Sequence, residues 1–223
     1  MHIGLIGGIG PAATVLYYER LVAAYQTHGQ ILEATIVHAD MHRLMDNAAA
    51  NDRDAQAAVY ANHISDLKAA GADVAVITSL GGHFCYDETT QLAELPLISA
   101  VTPLDTYFKS NGFETVGLLG TRQVTSSGLY GQLACTTALA PSDADLIHDT
   151  YLDMAKSGHC TDAQRTLFFD AGHEMIARGA TAVVMAGTDL SLAFDGHHPG
   201  FAVVDAVRVH VDHIVAQCTE TLK

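Results

Sequence analysis

The residues nearest the N-terminus have the types and the spacing that bind an anion. Gly7, Gly8 and Gly10 follow a short apolar run and allow a sharp turn and a close approach of the backbone to a ligand. Pro11 suits the first position of a helix, where its missing N–H costs nothing. Because the free N–H groups and the dipole at the start of a helix favour negative charge, this stretch predicts a site for an anionic ligand.

Two anions fit this site. The pattern Gly8-x-Gly10-x-x-Ala13, with Asp40 after the next apolar run, formally satisfies the dinucleotide-binding fingerprint and indicates a pyrophosphate. The alternative is the carboxylate of a small acid. The carboxylate interpretation is favoured, because matching glycine loops recur in the second half of the chain and a dinucleotide fingerprint does not explain them.

A second group with possible chemistry lies near the C-terminus. His197 and His198 are neighbouring imidazoles that could transfer protons near neutral pH. Together with Asp195 they also suggest a metal ion, but they do not meet a fixed ligand spacing, so no metal is expected. A solvated loop is the alternative. The chain's cysteines lack CxxC spacing, and we expect packed, inert thiols rather than disulfides or a zinc site: Cys85, Cys135, Cys160 and Cys218.

Strand and helix patterns alternate along the chain, which predicts an α/β fold with parallel sheets. We expect strands at 2–6, 34–39, 73–78, 95–100, 115–119 and 181–185, and helices after residue 11, at 53–70, within 143–179 with a break near 157–158, and at 204–222. The apolar stripe of the second helix is predicted at Ala58, Ala61, Ile64 and Leu67, and Thr125 or Ser126 is predicted to cap the helix after the fifth strand.

An internal repeat indicates two similar halves. Gly4-Leu5-Ile6-Gly7 resembles Gly117-Leu118-Leu119-Gly120, and the segment 71–76 resembles 179–184 at nearly the same distance along the chain. Ligands of open parallel sheets bind beyond the carboxyl ends of the strands. We therefore expect the strand-end loops at Gly7, Ser79, Gly120 and Gly187 to face one cleft between the halves.

Composition and charge exclude several classes of partner. The 223 residues include 11 Lys and Arg against 25 Asp and Glu, a formal charge of −14, which argues against binding to nucleic acid or to an anionic membrane. A carboxylate ligand would need local donors against this global charge. The sequence also lacks an apolar run of spanning length and a signal-peptide pattern, so a cytoplasmic protein is expected.

Five motifs, in order, are similar to those of the aspartate/glutamate racemase superfamily (Asp/Glu/hydantoin racemase family). They are GLIGGIGPAATVLYYERL, the element that ends at His83, LLGTRQVTSSGLY, ARGATAVVMAGTDL and VVDAVRVHVDHIV. The resemblance implies two pseudo-symmetric, Rossmann-like α/β domains with the active-site cleft between them, at 1–100 plus 207–223 and at 101–206. It also implies cofactor-independent chemistry and a homodimer.

The family's two catalytic cysteines are replaced in this sequence. In the racemases one cysteine follows a strand of each half, in patterns like C-N-T-x-H and G-C-T-E, and the two thiols exchange the α-proton of the substrate. The matching segments here place Ser79 and Gly187 at the cysteine positions. A serine hydroxyl is a far weaker base than a thiolate, and glycine cannot transfer a proton. The two-thiol reaction is therefore expected to be absent or very slow.

The other site residues of the family have counterparts here. The resemblance implies catalytic or supporting roles for His83 and Asp189, and His197 and His198 are the first candidates for a new base. It implies binding of a substrate carboxylate by loop residues and a helix lysine: Gly7, Gly8, Pro11, Gly81, Thr121, Arg122, Lys156 and Thr188.

These observations predict a racemase-family isomerase that binds a small mono- or dicarboxylate, of the aspartate or glutamate kind, without the two-cysteine mechanism. Two alternatives stay open. One is a non-catalytic carboxylate-binding or regulatory protein that kept the site and lost the reaction. The other is a related lyase or decarboxylase acting on a small carboxylate.

Overall fold

The computed structural model describes residues 1–220, which form two compact units. The first unit comprises Met1–Ala100 and the chain from His210 onward, and the second comprises Val101–Val209. Each unit is built around a four-stranded sheet in which all neighbouring strands are parallel. The predicted α/β class with two parallel sheets is confirmed.

The first unit has the strand order β2-β1-β3-β4. Its elements are β1 (His2–Gly7), α1 (Pro11–Thr27), β2 (Glu33–His38), α2 (Met41–Ala49), α3 (Arg53–Ala69), β3 (Val74–Ile77), a 3₁₀ turn (Gly81–Cys85), α4 (Tyr86–Leu92) and β4 (Leu97–Ile98). Every residue of β3 is buried, which is typical of a strand in a parallel sheet covered on both faces.

The second unit repeats this arrangement with the strand order β6-β5-β7-β8. Its elements are α5 (Thr102–Ser110), β5 (Thr115–Leu119), α6 (Arg122–Ser126), β6 (Thr137–Leu139), α7 (Ala144–Ser157), α8 (Asp162–Ala177), β7 (Ala182–Met185), a 3₁₀ turn (Thr188–Leu190), α9 (Ser191–Phe194), β8 (Val203–Asp205) and α10 (Ala206–Glu220). From His210 onward α10 belongs to the first unit.

The strand register reproduces the sequence repeat. Ile3 pairs with Val74 in the first sheet, and Val116 pairs with Ala182 in the second. These pairs lie at the same offsets as the repeated GLIG-like and glycine-alanine segments. The central strands of the two units are therefore equivalent residue by residue, and so are the loops that leave their carboxyl ends.

Several predicted details are wrong. The buried face of α3 consists of Gln56, Ala57, Tyr60, Ile64 and Leu67, whereas Ala58 is exposed and Ala61 half-buried. Thr125 and Ser126 lie inside α6 instead of capping it, and their hydroxyls donate to the Arg122 carbonyl.

The closing helix begins at Ala206, two residues later than predicted, because residues 203–205 form a short strand that was not predicted. The last two residues of the predicted helix, Thr221 and Leu222, lie outside the described residues. The break in the 143–179 segment is confirmed, because Gly158 ends α7 in the left-handed conformation. Over the part of the chain that the structure describes, the helices lack the length and apolar composition that a bilayer crossing needs.

Candidate functional site

The carboxyl ends of β1 and β3 meet at the same edge of the first sheet. Ile6 pairs with Ile77, so the loops that begin at Gly7 and Thr78 leave adjacent strands side by side. The Thr78 hydroxyl donates to the Ile6 carbonyl at 3.0 Å and lies 3.2 Å from the Thr14 hydroxyl. This pair of threonines fixes the two loops against each other.

The first loop depends on Gly8. Its φ of +86° is in the left-handed region, and a Cβ there would lie 2.6 Å from His38 Nδ1. The Gly8 N–H donates to the Thr14 hydroxyl at 3.0 Å, so this N–H is already engaged within the protein. Gly10 is the N-cap of α1 and Pro11 its first residue, as predicted. The helix N-terminus is thus present, and a ligand would meet it without the N–H of Gly8.

The second loop of this unit is held by His83. The ring is fully buried; its Nδ1–H donates to the Ser79 carbonyl at 2.7 Å, and its Nε2 accepts from the Ala100 N–H at 3.0 Å. Burial lowers the pKa of His83 to about 4. The imidazole is therefore neutral at physiological pH and has both nitrogens engaged. This geometry favours a role in positioning the half-buried Ser79 over a role in proton transfer.

The His83 ring packs against a cluster of aromatic and histidine side chains. His83 stacks on Tyr86 with 5.7 Å between ring centroids and meets His210 edge-on at 6.1 Å. His210 Nδ1 lies 2.8 Å from the Tyr17 hydroxyl, and burial keeps the pKa of His210 well below its ordinary value. The second loop therefore rests on neutral, hydrogen-bonded imidazoles.

The second unit places its loops in the same way. Leu119 pairs with Met185, and the Ala186 N–H donates to the Leu119 carbonyl at 2.8 Å. Thr121 is the N-cap of α6, and the Arg122 N–H that opens the helix donates to His148 Nδ1 at 3.2 Å. The Arg122 guanidinium pairs with the Asp145 carboxylate. The backbone N–H and the Nε–H of Arg122, a predicted carboxylate-binding residue, are thus engaged by α7.

The loop after β7 is packed against Tyr151. Gly187 is the second residue beyond β7, as Ser79 is the second residue beyond β3, so the two are equivalent positions in the two units. A Cβ at Gly187 would lie 2.6 Å from Tyr151 Cε2 and 2.9 Å from its hydroxyl oxygen. The Tyr151 hydroxyl donates to Asp189 Oδ2 at 2.9 Å. Burial and the Asp189 carboxylate raise the pKa of Tyr151, which keeps this phenol protonated.

Comparison with known proteins agrees with this architecture. The family model described as Asp/Glu/hydantoin racemase matches residues 6–214. The chain belongs to this family. A Yersinia pestis protein assigned as an Asp/Glu racemase is 24% identical, with a TM-score of 0.81 over 97% of this chain and 99% of that one.

Two further solved structures have the same fold. An aspartate racemase homologue from Pyrococcus horikoshii is 18% identical, with a TM-score of 0.82 over 98% of this chain and 99% of that one. Glutamate racemase from Francisella tularensis in complex with D-glutamate is 13% identical, with a TM-score of 0.71 over 99% of this chain and 82% of that one. At these identities the likeness shows the fold of the family alone.

The remaining predicted site residues of this racemase-family chain lie in one helix, one exposed loop and two 3₁₀ turns. Lys156 is exposed in the last turn of α7. His197 and His198 lie in the exposed loop at 195–200, where the His197 N–H donates to the Phe194 carbonyl at 3.0 Å. Gly81 and Thr188 each begin a 3₁₀ turn and are half-buried. Within residues 1–220, His, Cys, Asp and Glu side chains form no group of three or more suited to a metal ion.

The thiols and Asp40 also have defined surroundings. Cys85, Cys160 and Cys218 are buried, and burial raises the pKa of Cys85 to about 11. Cys135 is exposed, so the expectation of four packed thiols is wrong for this one.

Asp40 caps α2 by accepting from the His42 N–H at 2.9 Å. A carboxylate used in this way does not favour the dinucleotide interpretation, in which it would bind a ribose.

The sequence analysis missed Tyr151, His148 and Asp145. These residues stand three apart on α7 and contact the loops after β5 and β7. Residues three apart in sequence lie on one face of a helix, so the sequence did indicate that these three side chains share a face. What the sequence could not indicate was that this face of α7 packs on the two strand-end loops.

Proposed function

We propose that this chain is an isomerase of the racemase family that acts on a small carboxylate, of the aspartate or glutamate kind, without cysteine thiols. The observation that carries the proposal is the equivalence of Ser79 and Gly187, each two residues beyond the central strand β3 or β7 of its unit. In the family pattern these are the cysteine positions, and neither serine nor glycine has a thiol.

The binding half of the proposal is supported by donors at the strand ends. The first unit has a helix N-terminus that begins at Pro11 behind Gly10, and the second has the hydroxyls of Thr121 and Thr188. Backbone N–H groups and hydroxyls of this kind bind carboxylates even where the net charge of the protein is negative. The proposal also takes the protein to be a cytoplasmic, cofactor-independent homodimer, as the sequence resemblance implies.

A second candidate function is carboxylate binding without catalysis. It is favoured by the engagement of the titratable groups at the strand ends. Both ring nitrogens of His83 are hydrogen-bonded inside the protein, and the Asp189 carboxylate accepts from Tyr151. A general base must reach the substrate proton directly or through one water, and His83 must change a hydrogen-bond partner to do so.

Proton exchange and ligand binding separate the two functions. Each enantiomer of aspartate and glutamate is incubated with the protein in D2O, and loss of the α-proton signal is followed by NMR. The thermal unfolding midpoint is measured with the same acids. Exchange with one of these acids supports the isomerase. A ligand-induced rise of the unfolding midpoint without exchange supports the binding protein, and neither exchange nor a rise for any acid refutes both.

A further inference from the structure

The backbone conformation of Gly187 does not require glycine at this position. Its φ of −146° and ψ of 134° are those of an extended residue, which any L-amino acid adopts. Glycine is therefore not needed here for a left-handed turn, unlike at Gly8 with its φ of +86°. The need for glycine at 187 must come from a neighbour.

That neighbour is the Tyr151 ring. Three of its atoms would lie within 3 Å of a Cβ at Gly187, at 2.6, 2.8 and 2.9 Å, distances that real Cβ contacts do not reach. The ring cannot easily retreat, because it belongs to the buried cluster of this unit together with Leu119, Met185 and Leu190. Its hydroxyl is also tied to Asp189 at 2.9 Å.

We propose that Tyr151 determines the chemistry available at the end of β7, because its ring occupies the volume of a side chain at residue 187. The Tyr151–Asp189 pair is then the polar group at this strand end, and a side chain at residue 187 overlaps the Tyr151 ring and lacks open access to this strand end while that ring is in place. The inference rests on the proposed function only in taking residue 187 as the place of a family thiol.

A double-mutant cycle tests the steric link directly. Gly187→Ala is measured by thermal unfolding in the wild-type, Tyr151→Phe and Tyr151→Ala backgrounds. Because overpacking a filled site is destabilising, the substitution should lower the midpoint by about 5 °C or more when either aromatic ring is present. It should change the midpoint by less than about 2 °C in the Tyr151→Ala background, where the ring is gone.

Gly10→Ala is the matched control for this cycle. Gly10 has a similar extended backbone, with φ −148° and ψ 108°, and a Cβ there would meet the Ala13 Cβ at an ordinary 3.5 Å. Gly10→Ala should lower the unfolding midpoint by no more than about 3 °C, because alanine is a poorer N-cap than glycine but meets no overpacked neighbour. An equal loss from Gly187→Ala in all three backgrounds, or tolerance of Gly187→Ala beside Tyr151, overturns the inference.

A thiol probe gives a second, independent readout. Gly187→Cys is placed in a Cys135→Ser background, which removes the exposed native thiol, with and without Tyr151→Ala. We expect the new thiol to react with an aromatic disulfide reagent at least about tenfold faster when Tyr151 is truncated. Equal reactivity with Tyr151 in place contradicts the inference. Neither readout uses a carboxylate, so a failed exchange assay refutes the proposed function and leaves this inference standing.

Discussion

The buried His83 predicts an acid-sensitive first unit. The ring is neutral in the folded protein because burial lowers its pKa to about 4, whereas in an unfolded chain the pKa of histidine is near its ordinary value of about 6.5. As the pH falls through 6.5, the unfolded state binds a proton that the folded state does not. The free energy of unfolding must therefore decrease with falling pH until the folded ring also titrates near 4.

The size of this effect follows from the two pKa values. Between pH 7.5 and pH 5 the titration of His83 lowers the free energy of unfolding by about 2 kcal/mol, which is a large share of the stability of a typical domain. His210, buried beside it with a lowered pKa, adds to the loss in the same direction. The assay is urea unfolding at the two pH values for the wild type and for His83→Gln, which cannot titrate.

The variant should lose about 2 kcal/mol less than the wild type between these pH values. His197→Gln is the matched control, because His197 lies in an exposed loop, and it should keep the wild-type pH dependence. If His83→Gln does not fold, NMR titration of the His83 ring in the wild type replaces it. Equal pH dependence in wild type and variant, or a His83 ring that protonates above pH 6, would refute the argument.

Two further predictions concern the loops and the thiols. Gly8→Ala should lower the free energy of unfolding by about 1–3 kcal/mol in a urea titration, because it places a Cβ at positive φ and against His38; unchanged stability would contradict the loop geometry. Iodoacetamide should modify Cys135 in the native protein and leave the three buried thiols unmodified, as peptide mass spectrometry would report. Rapid native modification of Cys85 would contradict its burial and its raised pKa.

The fold was predictable because its central strands are continuous apolar runs. Strands such as β3 and β7 are buried on both faces, so their composition alone distinguishes them from surface helices. The repeat predicted two similar halves, and the equivalent strand pairs of the two sheets lie at the offsets of that repeat. The short strands β6 and β8 were missed, since three residues of edge strand have too little pattern to separate from a loop.

The error in α3 has a different cause. Residues 57 to 61 of this helix are all apolar, so apolar residues occur on every side of the helix there and the periodicity is weak. Tyr60 and Gln56 are buried where the sequence favoured Ala58 and Ala61. Packing against the sheet, rather than local hydrophobicity, decides which side faces inward.

The sequence predicted where the loops of the candidate site lie, but not which side chains contact them. The structure places the strand-end glycines, Ser79 and Asp189 after strands that the sequence predicted, and their roles in a site stay a prediction. The partner of Gly187 was not, because Tyr151 lies on a distant helix and the contact exists only in the folded chain. Sequence motifs indicate which residues lie in the loops after the strands. Tertiary packing determines which of their hydrogen-bond donors already have a partner within the protein.

The claim of isomerisation without thiols is tested most directly by α-proton exchange in a cysteine-free chain. The variant has Ala at the three buried cysteines and Ser at residue 135, and its exchange rate in D2O with the acid that the wild type acts on is compared with the wild-type rate. We expect equal rates within about twofold, because neither thiol position of the family holds a cysteine in this chain. Exchange by the wild type that disappears in the folded cysteine-free variant would contradict it.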